Sequence, residues 1–331
     1  GVAASVPQGG ILVFVRPSPG MIQPPDEQTV ARLVQQALPG SKVRRLWPLS
    51  GGISAGMLAV AVVWADGRSQ TVVVRTHAQT AVAEKEYRLL QILQGQGIKT
   101  PLPYGLDRSA GSLVLDYLPG EMNFAPADLN NHLYQMAEQL AQLHRLDMTQ
   151  QDVSFLPEAG AGCVEVGRER PSPTANFPQA QAIRQVLADT DPPPSANKTT
   201  LLHGDFWPGN CLWRDGELTA VIDWEDACLG DPLIDLAQSR SEIVWIFGPE
   251  AVEIFTGHYL QQISLDERQL DFQQLPYRDL CAALRQIRLV GADLAGYAAY
   301  FGGYGRTDIT PATIRQNLDT FIDCALARLT R

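Results

Sequence analysis

The sequence predicts an α+β protein built from a small β-rich lobe and a larger, mostly helical lobe. The chain has 331 residues, more than the roughly 150 residues of a typical domain. Val-rich runs separated by turn residues dominate residues 43–120, and apolar residues at helical spacing dominate the remainder. We therefore place an N-terminal extension at 1–40, a first lobe at 41–119 and a second lobe at 120–331.

A β-hairpin is the clearest element of the first lobe. Met57–Trp64 and Thr71–Arg75 are apolar runs rich in β-branched residues. They are joined by a segment that contains Asp66-Gly67, a favoured hairpin turn. The other elements expected before residue 120 are the helices Glu27–Leu38 and Ala81–Gln94 and the strands Ile11–Val15, Val43–Pro48, Pro101–Tyr104 and Ser112–Tyr117.

Helices fill most of the second lobe. Asn131–Leu146 repeats Leu133, Met136, Leu140 and Leu143, a spacing that puts them on one face of a helix. A stretch rich in Pro, Gly and Ser follows at 148–200, which indicates a long surface connection. Further helices are expected at Gln179–Leu187, Pro232–Trp245, Glu250–Gln262, Leu280–Tyr300 and Pro311–Leu329.

Composition excludes several classes of protein. The longest apolar run, Met57–Trp64, is far shorter than the roughly 20 residues that span a bilayer, so no membrane segment is expected. The net charge of −10 argues against nucleic acid as a partner, and no protein partner can be inferred. The first residues lack a signal-peptide pattern, and the five cysteines are scattered without a C-x-x-C pair. We therefore expect a cytoplasmic protein without a disulfide framework or a zinc site.

The charge is unevenly distributed along the chain. Residues 1–120 carry 11 basic and 7 acidic residues, whereas residues 121–331 carry 15 basic and 29 acidic ones. This asymmetry suits an anionic ligand on the first lobe and a cationic ligand on the second. A merely acidic, solvated surface would give the same pattern.

The densest group of chemically active residues is His203-Gly204-Asp205, followed by Asn210 and, after two apolar runs, by Asp223. Asp215-Gly216 between the runs predicts a tight hairpin, whose open end brings Asn210 close to Asp223. Two oxygen ligands side by side can hold Mg²⁺. Asp205 lies on the loop that enters the hairpin, where its carboxylate can accept a proton from a hydroxyl attacking a metal-bound phosphate. The pattern is therefore that of phosphoryl transfer.

This segment resembles the catalytic loop and metal hairpin of the aminoglycoside phosphotransferase family. That family, with choline kinases and related small-molecule kinases, shares the protein-kinase-like fold. Gly230-Asp231-Pro232 and Asp235-Leu236-Ala237 also resemble the family's helix start, and the resemblance covers roughly residues 46–240. It implies a two-lobed kinase-like fold that uses ATP (or GTP in its place) and Mg²⁺ to phosphorylate a hydroxyl of a small molecule.

The same resemblance implies roles for the acidic residues of the second lobe. Asp205 matches the catalytic base, and Asn210 and Asp223 match the two metal ligands. Asp231 could also cap the helix that follows it. The matches that we interpret as supporting the fold are His203, Asp231 and Asp235.

The first lobe is implied to bind the nucleotide. Arg75 stands where kinases carry a lysine to the α- and β-phosphates, and Glu86 matches the acid that pairs with it, with Glu84 as the alternative. The loop at 50–56 resembles the loop that covers the phosphates, although it lacks the kinase G-x-G-x-x-G spacing. Residues implied to contact the nucleotide through this loop or through hinge backbone groups are Ser50, Gly51, Gly52, Gly56, Asp116, Tyr117 and Leu118.

The acceptor is implied to be a small molecule that carries a hydroxyl. The acidic second lobe favours a cationic acceptor, such as an aminoglycoside, an aminosugar or a choline-like amine. A neutral sugar, a sugar-amine adduct and homoserine stay open. Candidate acceptor contacts are Trp207, Trp224, Glu225, Asp226, Asp279 and Asp293.

Three other interpretations stay open on the sequence alone. Residues 52–56 match G-x-S-x-G, the nucleophile elbow of hydrolases, which needs a strand before Ser54 and a helix after it. His203 and Asp205 could be ligands of a metal-dependent hydrolase. A kinase-like protein with weak catalysis could act as a nucleotide-binding scaffold. The remaining histidines are interpreted as ordinary surface or core residues, namely His77, His132, His144 and His258.

Overall fold

The computed structural model describes residues 25–49, 55–159, 177–190, 197–266, 270–291 and 293–329. The predicted strand Ile11–Val15 and the loop residues Ser50, Gly51, Gly52 and Ser54 lie outside these ranges. Within them, a sheet-based lobe precedes a helical lobe. The predicted α+β architecture is therefore confirmed.

An antiparallel sheet forms the body of the first lobe. Gly67, with a φ of 85°, and the side chain of Asp66, which accepts a hydrogen bond from Arg68 N at 3.0 Å, form the predicted hairpin turn. The strands are β1 (Lys42–Pro48), β2 (Ala55–Val63), β3 (Ser69–His77), β4 (Pro103–Asp107) and β5 (Ser112–Asp116). Their spatial order is β1-β2-β3-β5-β4. Because β5 lies between β3 and β4, the ends of β3 and β5 come together at one edge of the lobe.

Strand β2 begins earlier than the sequence pattern suggested. Gly56 lies opposite Thr76 of β3, so it is a strand residue and not part of the loop before the strand. Small residues do not stop a chain from pairing once the neighbouring strand is in place. Because a strand and not a helix follows Ser54, the nucleophile-elbow interpretation is wrong.

Helix α1 (Glu27–Ala37) covers one face of this sheet. It begins at Asp26, whose side chain accepts a hydrogen bond from Thr29 N at 2.9 Å and so satisfies a free donor of the first turn. The helix is part of the first lobe because its apolar face packs on the sheet. Burying each apolar side chain of such a face stabilises the fold by about 1.5–3 kcal/mol. The packed residues are Val30, Leu33 and Val34 of α1 with Val60, Val62, Val72, Val74 and Val114 of the sheet.

The second lobe is built on helices, with short strands that carry loops. Its helices are α3 (Leu129–Arg145), α4 (Gln179–Asp189), α5 (Pro232–Phe247), α6 (Pro249–Ile263), α7 (Leu275–Val290), α8 (Leu294–Gly302) and α9 (Pro311–Leu329). Its strands are β6 (Thr200–Leu202), β7 (Cys211–Arg214), β8 (Glu217–Val221) and β9 (Cys228–Gly230), paired as β6-β9 and β7-β8. Among the helices of the described ranges, none is long and apolar enough to cross a membrane.

The helix predicted over Leu280–Tyr300 is two helices. The first ends at Val290, and Asp293 starts α8 by accepting a hydrogen bond from Gly296 N at 3.1 Å. Apolar spacing continues across the break, which is why periodicity alone joined the two. An Asp that caps a new helix competes with helix continuation at that point.

One hydrophobic cluster joins the two lobes. Helix α2 (Thr80–Leu93), which connects β3 to β4, contributes Leu89, Leu90 and Leu93 to the same buried cluster as the helices of the second lobe. Leu113 of β5 belongs to it as well. The lobes are therefore docked through α2, and this docking fixes the ends of β3 against the loops of the second lobe.

The expectation about cysteines needs a correction. Cys211, Cys228 and Cys324 are free thiols, but Cys281 is disulfide-bonded. Spacing along the chain does not indicate which thiols packing brings within bonding distance, so scattered cysteines did not exclude a disulfide.

Candidate active site

The β7-β8 hairpin fixes the relative position of two predicted site residues. Asp215 and Gly216 form its turn with φ angles of 53° and 81°, as an Asp-Gly hairpin turn does. At the open end, Ile222 N donates to Asn210 O at 2.9 Å. Asn210 therefore lies across from the residue that precedes Asp223, and the predicted adjacency of the two is confirmed.

Asp235, on the first turn of α5, holds the loop that leads to Asp205. Its carboxylate accepts hydrogen bonds from His203 N at 2.7 Å and Gly204 N at 2.9 Å. Gly204 has a φ of 81°, and a Cβ there would lie 2.2 Å from Asp226 O, so a larger residue does not fit. The His203 ring contacts Ile222 O at 3.0 Å. His203 thus ties the loop to the hairpin, as expected of a residue that supports the fold.

The Asp205 carboxylate is held by three donors. Asn210 Nδ2 donates to Oδ2 at 3.0 Å, while Gln238 Nε2 and Arg285 Nη2 donate to Oδ1 at 3.0 and 2.9 Å. Sequence reasoning did not find Gln238 or Arg285, because α5 and α7 carry no local motif around them. About a quarter of the Asp205 side chain stays exposed (26%), so another molecule can reach it.

Arg75 of β3 lies at the centre of an ion cluster between the lobes. Its Nη2 donates to Asp223 Oδ1 at 2.5 Å, and its Nε lies 3.3 Å from Glu86 Oε2 on α2. Burial opposes the charge, but Glu86 and Asp223 raise the pKa of Arg75 above its usual value. Glu84 instead forms an exposed ion pair with Arg108 at 3.2 Å. The structure therefore pairs Arg75 with Glu86 and not with the alternative Glu84.

Asp223 is held in a conformation that few residues adopt. Its φ and ψ are 69° and 61°, the left-handed region that Asp and Asn tolerate better than other side chains. The pKa of the Asp223 carboxyl is raised. Burial is the largest cause, and the charge of Glu225 acts in the same direction, while the charge of Arg75 opposes both. The turn Trp224–Asp226 follows directly.

His77 joins this cluster, although the sequence gave no reason to single it out. Its Nε2 lies 2.6 Å from Glu86 Oε2 and its Nδ1 lies 3.2 Å from Glu225 Oε2. It stands two residues after Arg75 on β3, so both side chains point to the same face of the sheet. This two-residue spacing from Arg75 is the only feature of the sequence that could have pointed to His77.

The predicted hinge follows β5. Asp116 ends the strand, and its N–H donates to Leu102 O at 2.8 Å. Tyr117 is exposed and Leu118 is half-buried. The predicted hinge therefore begins where β5 leaves the sheet.

The candidate acceptor contacts separate into two groups. Trp207 is half-buried against Phe124, with ring centroids 6.1 Å apart. Asp226 is an exposed residue. The pKa of its carboxyl is raised, first by the partial burial of that carboxyl and second by the nearby charge of Asp205. These two stay near the base. The others have different partners: Trp224 is buried, Glu225 pairs with Arg75 and His77, Asp279 pairs with Arg240, and Asp293 caps α8.

The prediction that Asp279 and Trp224 contact the acceptor is therefore corrected. Asp279 is buried and receives two hydrogen bonds from Arg240, both at 3.1 Å, and Trp224 Nε1 donates to Val221 O at 3.0 Å. Both side chains face inward because α7 and the hairpin pack there. Neither position can be recognised as buried from charge or from nearness to the acids in sequence.

A buried acid on α5, Glu242, should make stability depend on pH. Burial, and to a lesser degree the charge of Asp205, raises its pKa from 4.5 to about 7. The folded state thus keeps a proton that the unfolded state releases, so this stability is complete below pH 4.5 and is lost as the pH rises through about 7. Glu242→Gln should stabilise the protein at pH 8 by about 3 kcal/mol, measured by urea unfolding at pH 5 and pH 8.

The exposed Glu253 provides the control for that experiment. Its side chain is 62% exposed and pairs with Arg328 at 3.4 Å, so Glu253→Gln should change stability by less than about 1 kcal/mol at either pH. Equal effects of the two substitutions at pH 8 would contradict a raised pKa for the buried Glu242.

Comparison with known proteins agrees with this geometry. A model of the phosphotransferase enzyme family matches residues 48–272, which include the strand that carries Arg75, the loop of Asp205, the hairpin and α5. The chain belongs to this phosphotransferase enzyme family. The resemblance seen in the sequence motifs is therefore confirmed.

Curated relatives match over part of their length. Acyl-CoA dehydrogenase family member 11 of Gallus gallus is 26% identical over 250 residues, which is 66% of this chain and 32% of that protein. The Escherichia coli K12 protein named "Probable ketoamine kinase YniA" is 29% identical over 214 residues, 56% of this chain and 66% of that protein. This chain thus matches about a third of the length of the Gallus gallus relative.

Solved structures share the fold over most of the chain. The GDP complex of wild-type aminoglycoside 2'-phosphotransferase-IIIa aligns with a TM-score of 0.62 at 15% identity, covering 89% of this chain and 99% of that one. The apoenzyme of macrolide 2'-phosphotransferase MphH from Brachybacterium faecium aligns with a TM-score of 0.55 at 19% identity, covering 84% and 98%. The two-lobed, protein-kinase-like fold is therefore confirmed.

Proposed function

We propose that this protein transfers the γ-phosphoryl group of ATP to a hydroxyl of a small molecule in a reaction that requires Mg²⁺. The observation that carries the proposal is the meeting of Asp205, Asn210, Asp223 and Arg75 where the two lobes join. A carboxylate able to accept a proton, two oxygen ligands and a fixed cation are the parts that phosphoryl transfer needs.

Asp205 is the proposed catalytic base. Donors from Asn210, Gln238 and Arg285 fix both of its oxygens, so the carboxylate is oriented before an acceptor binds. Its exposed edge accepts the proton of the acceptor hydroxyl as that oxygen attacks. A base held in place in this way contributes through position, because no side chain has to move during the reaction.

Asn210 and Asp223 are the proposed metal ligands. Asn210 uses its amide nitrogen toward Asp205, and Asp223 uses Oδ1 toward Arg75, so Oδ1 of Asn210 and Oδ2 of Asp223 remain for a hard cation. Two protein oxygens leave the other coordination positions of Mg²⁺ to oxygens of the nucleotide and of water. When bound, Mg²⁺ neutralises charge on the phosphates.

Arg75 and the hinge are the proposed nucleotide contacts. Arg75 is fixed by Glu86, so its guanidinium can face the phosphates without losing its partner. The backbone groups of Tyr117 and Leu118 are proposed to hold the edge of an adenine, with Asp116 at the start of the hinge. The loop at 50–56 is proposed to cover the phosphates. Solved relatives hold nucleotides: one is a GDP complex, and the amicoumacin kinase hAmiN was solved with AMP-PNP and Ca²⁺.

The acceptor is proposed to be a small alcohol or sugar. The acidic composition of the second lobe favours a cation, but the groups next to Asp205 are mixed in charge. Arg285 contacts the base, Asp226 lies close by, and Glu242 carries its pKa near neutrality. The surroundings of the base therefore do not select a cationic acceptor by charge alone.

A transfer screen tests the proposal. The protein is incubated with Mg²⁺ and ATP labelled in the γ-phosphate, together with a library of amines, sugars and alcohols, and labelled products are separated from phosphate. We expect transfer to a subset of hydroxyl-bearing molecules and none without Mg²⁺. A protein that neither binds Mg·ATP nor labels any acceptor would contradict the proposal.

A further inference from the structure

The network around His77 connects the two lobes. His77 is the last residue of β3, and its side chain is 2% exposed. One ring nitrogen contacts Glu86 of α2 in the first lobe at 2.6 Å, and the other contacts Glu225, just after Asp223 in the second lobe, at 3.2 Å. Lys85 of α2 also donates to Ala227 O at 3.2 Å. Helix α2 is therefore docked on the turn that follows Asp223.

Both ring nitrogens of His77 face carboxylates. A neutral imidazole has one N–H, and an imidazolium has two. Arg75 Nε donates to His77 Nε2 at 3.2 Å and lies 3.3 Å from Glu86 Oε2, so the neutral ring accepts from Arg75 at Nε2 and donates to Glu225 from Nδ1. The imidazolium instead donates to Glu86 and Glu225 together. Burial lowers the pKa of His77, but Glu225 and Glu86 outweigh burial and the repulsion of Arg75, and the pKa is raised.

His77 is the second basic group of the cluster and contacts two of its carboxylates. Glu86, Asp223 and Glu225 bring three carboxylates around Arg75. Removing His77 would take a contact away from Glu86 and another from Glu225, and a charge that loses a partner in a largely buried place is destabilising.

We propose that His77 is a positioning residue for the nucleotide site: it joins Glu86 to Glu225 across the lobes and so keeps Arg75 and Asp223 in the arrangement that binds Mg·nucleotide. This inference rests on the proposed function and extends it to a residue outside the recognised motifs. His77 does not touch the nucleotide. It acts by tying Glu86, which pairs with Arg75, to Glu225, which lies two residues after Asp223.

The test measures the affinity for Mg·ADP by calorimetry in four variants. His77→Gln and Glu225→Gln should each weaken binding about tenfold, and the double variant should be no weaker than either single one, because each removes the same bridge. Glu84→Gln is the matched control on α2: its exposed partner is Arg108, so binding should stay within about twofold of the unmodified protein. In the unmodified protein, a ¹⁵N NMR titration should show that the pKa of His77 is raised above that of an ordinary histidine.

Two results would overturn the inference. One is binding by His77→Gln within about twofold of the unmodified protein; the other is single losses that multiply in the double variant, since independent sites add in free energy. If His77→Gln does not fold, Glu225→Gln alone decides, and unchanged binding overturns the inference. If the unmodified protein fails to bind Mg·ADP, the proposed function fails, while the NMR titration still tests the bridge, because an unshifted pKa of His77 would show that its ring is not held between the two carboxylates.

Discussion

Asp205→Asn should lower kcat for phosphoryl transfer by about 10²–10⁴-fold, the usual contribution of a general base. The amide cannot take a proton from the acceptor hydroxyl, but it nearly matches the carboxylate in shape. Asp205 lies on the second lobe and does not contact Arg75, so the affinity for Mg·ATP should change far less than kcat. The measurement pairs steady-state kinetics on an acceptor from the screen with calorimetry of nucleotide binding.

Asp205→Ala tests the same role of Asp205 without introducing a new amide group. In Asp205→Asn, the new amide meets the amide of Asn210, which now donates to Asp205 at 3.0 Å, and Asn210 could rotate. Alanine removes that conflict. Both variants should be catalytically impaired to a similar degree and remain folded by circular dichroism. Transfer that persists in both at the unmodified rate would remove Asp205 from the mechanism.

Asp223→Asn should weaken metal-dependent nucleotide binding by about 10²–10³-fold, equivalent to the several kcal/mol that a metal contributes to charge stabilisation. The substitution removes the negative charge of Asp223, which is one of the two proposed metal ligands. It also breaks the ion pair of Asp223 with Arg75. Asn tolerates the left-handed backbone of this position, so the loss reports on charge and not on the fold. Calorimetry with ATP, with and without Mg²⁺, measures it: the Mg²⁺-dependent gain in affinity should disappear.

Asp215→Asn is the matched control. Asp215 lies at the other end of the same hairpin, also has a positive φ, of 53°, and its side chain is 90% exposed. The same chemical change there should leave nucleotide binding within about twofold, as surface substitutions do. If Asp223→Asn bound Mg·ATP as well as Asp215→Asn does, Asp223 would not be a metal ligand.

Much of the site could be predicted because its parts are close in sequence. The Asp-Gly turn is a local preference of two residues, and it aligns Asn210 with Asp223 whatever the rest of the chain does. Gly204 needs a backbone conformation that glycine supplies. The Val-rich runs alternate into strands and the Leu-rich runs repeat at helical spacing for equally local reasons.

The partners of these residues were outside such reasoning. Arg285 reaches Asp205 from 80 residues away, and Arg75 reaches Asp223 from 148 residues away. The resemblance to known kinases implied the Arg75–Glu86 pair, but nothing implied Gln238 or Arg285. Reasoning from position and charge in the sequence also misjudged Trp224 and Asp279, which packing buries.

The sequence by itself therefore determined most of the helices and strands, and the hairpin and the loop that carry Asp205, Asn210 and Asp223. Only the tertiary structure decided what surrounds them: the three donors on Asp205, the role of His77 between two carboxylates, and the near-neutral pKa of Glu242. The reason is physical. Backbone conformation depends on neighbours in the chain, whereas burial and charge pairing depend on which elements pack together, and that is set by the whole hydrophobic core.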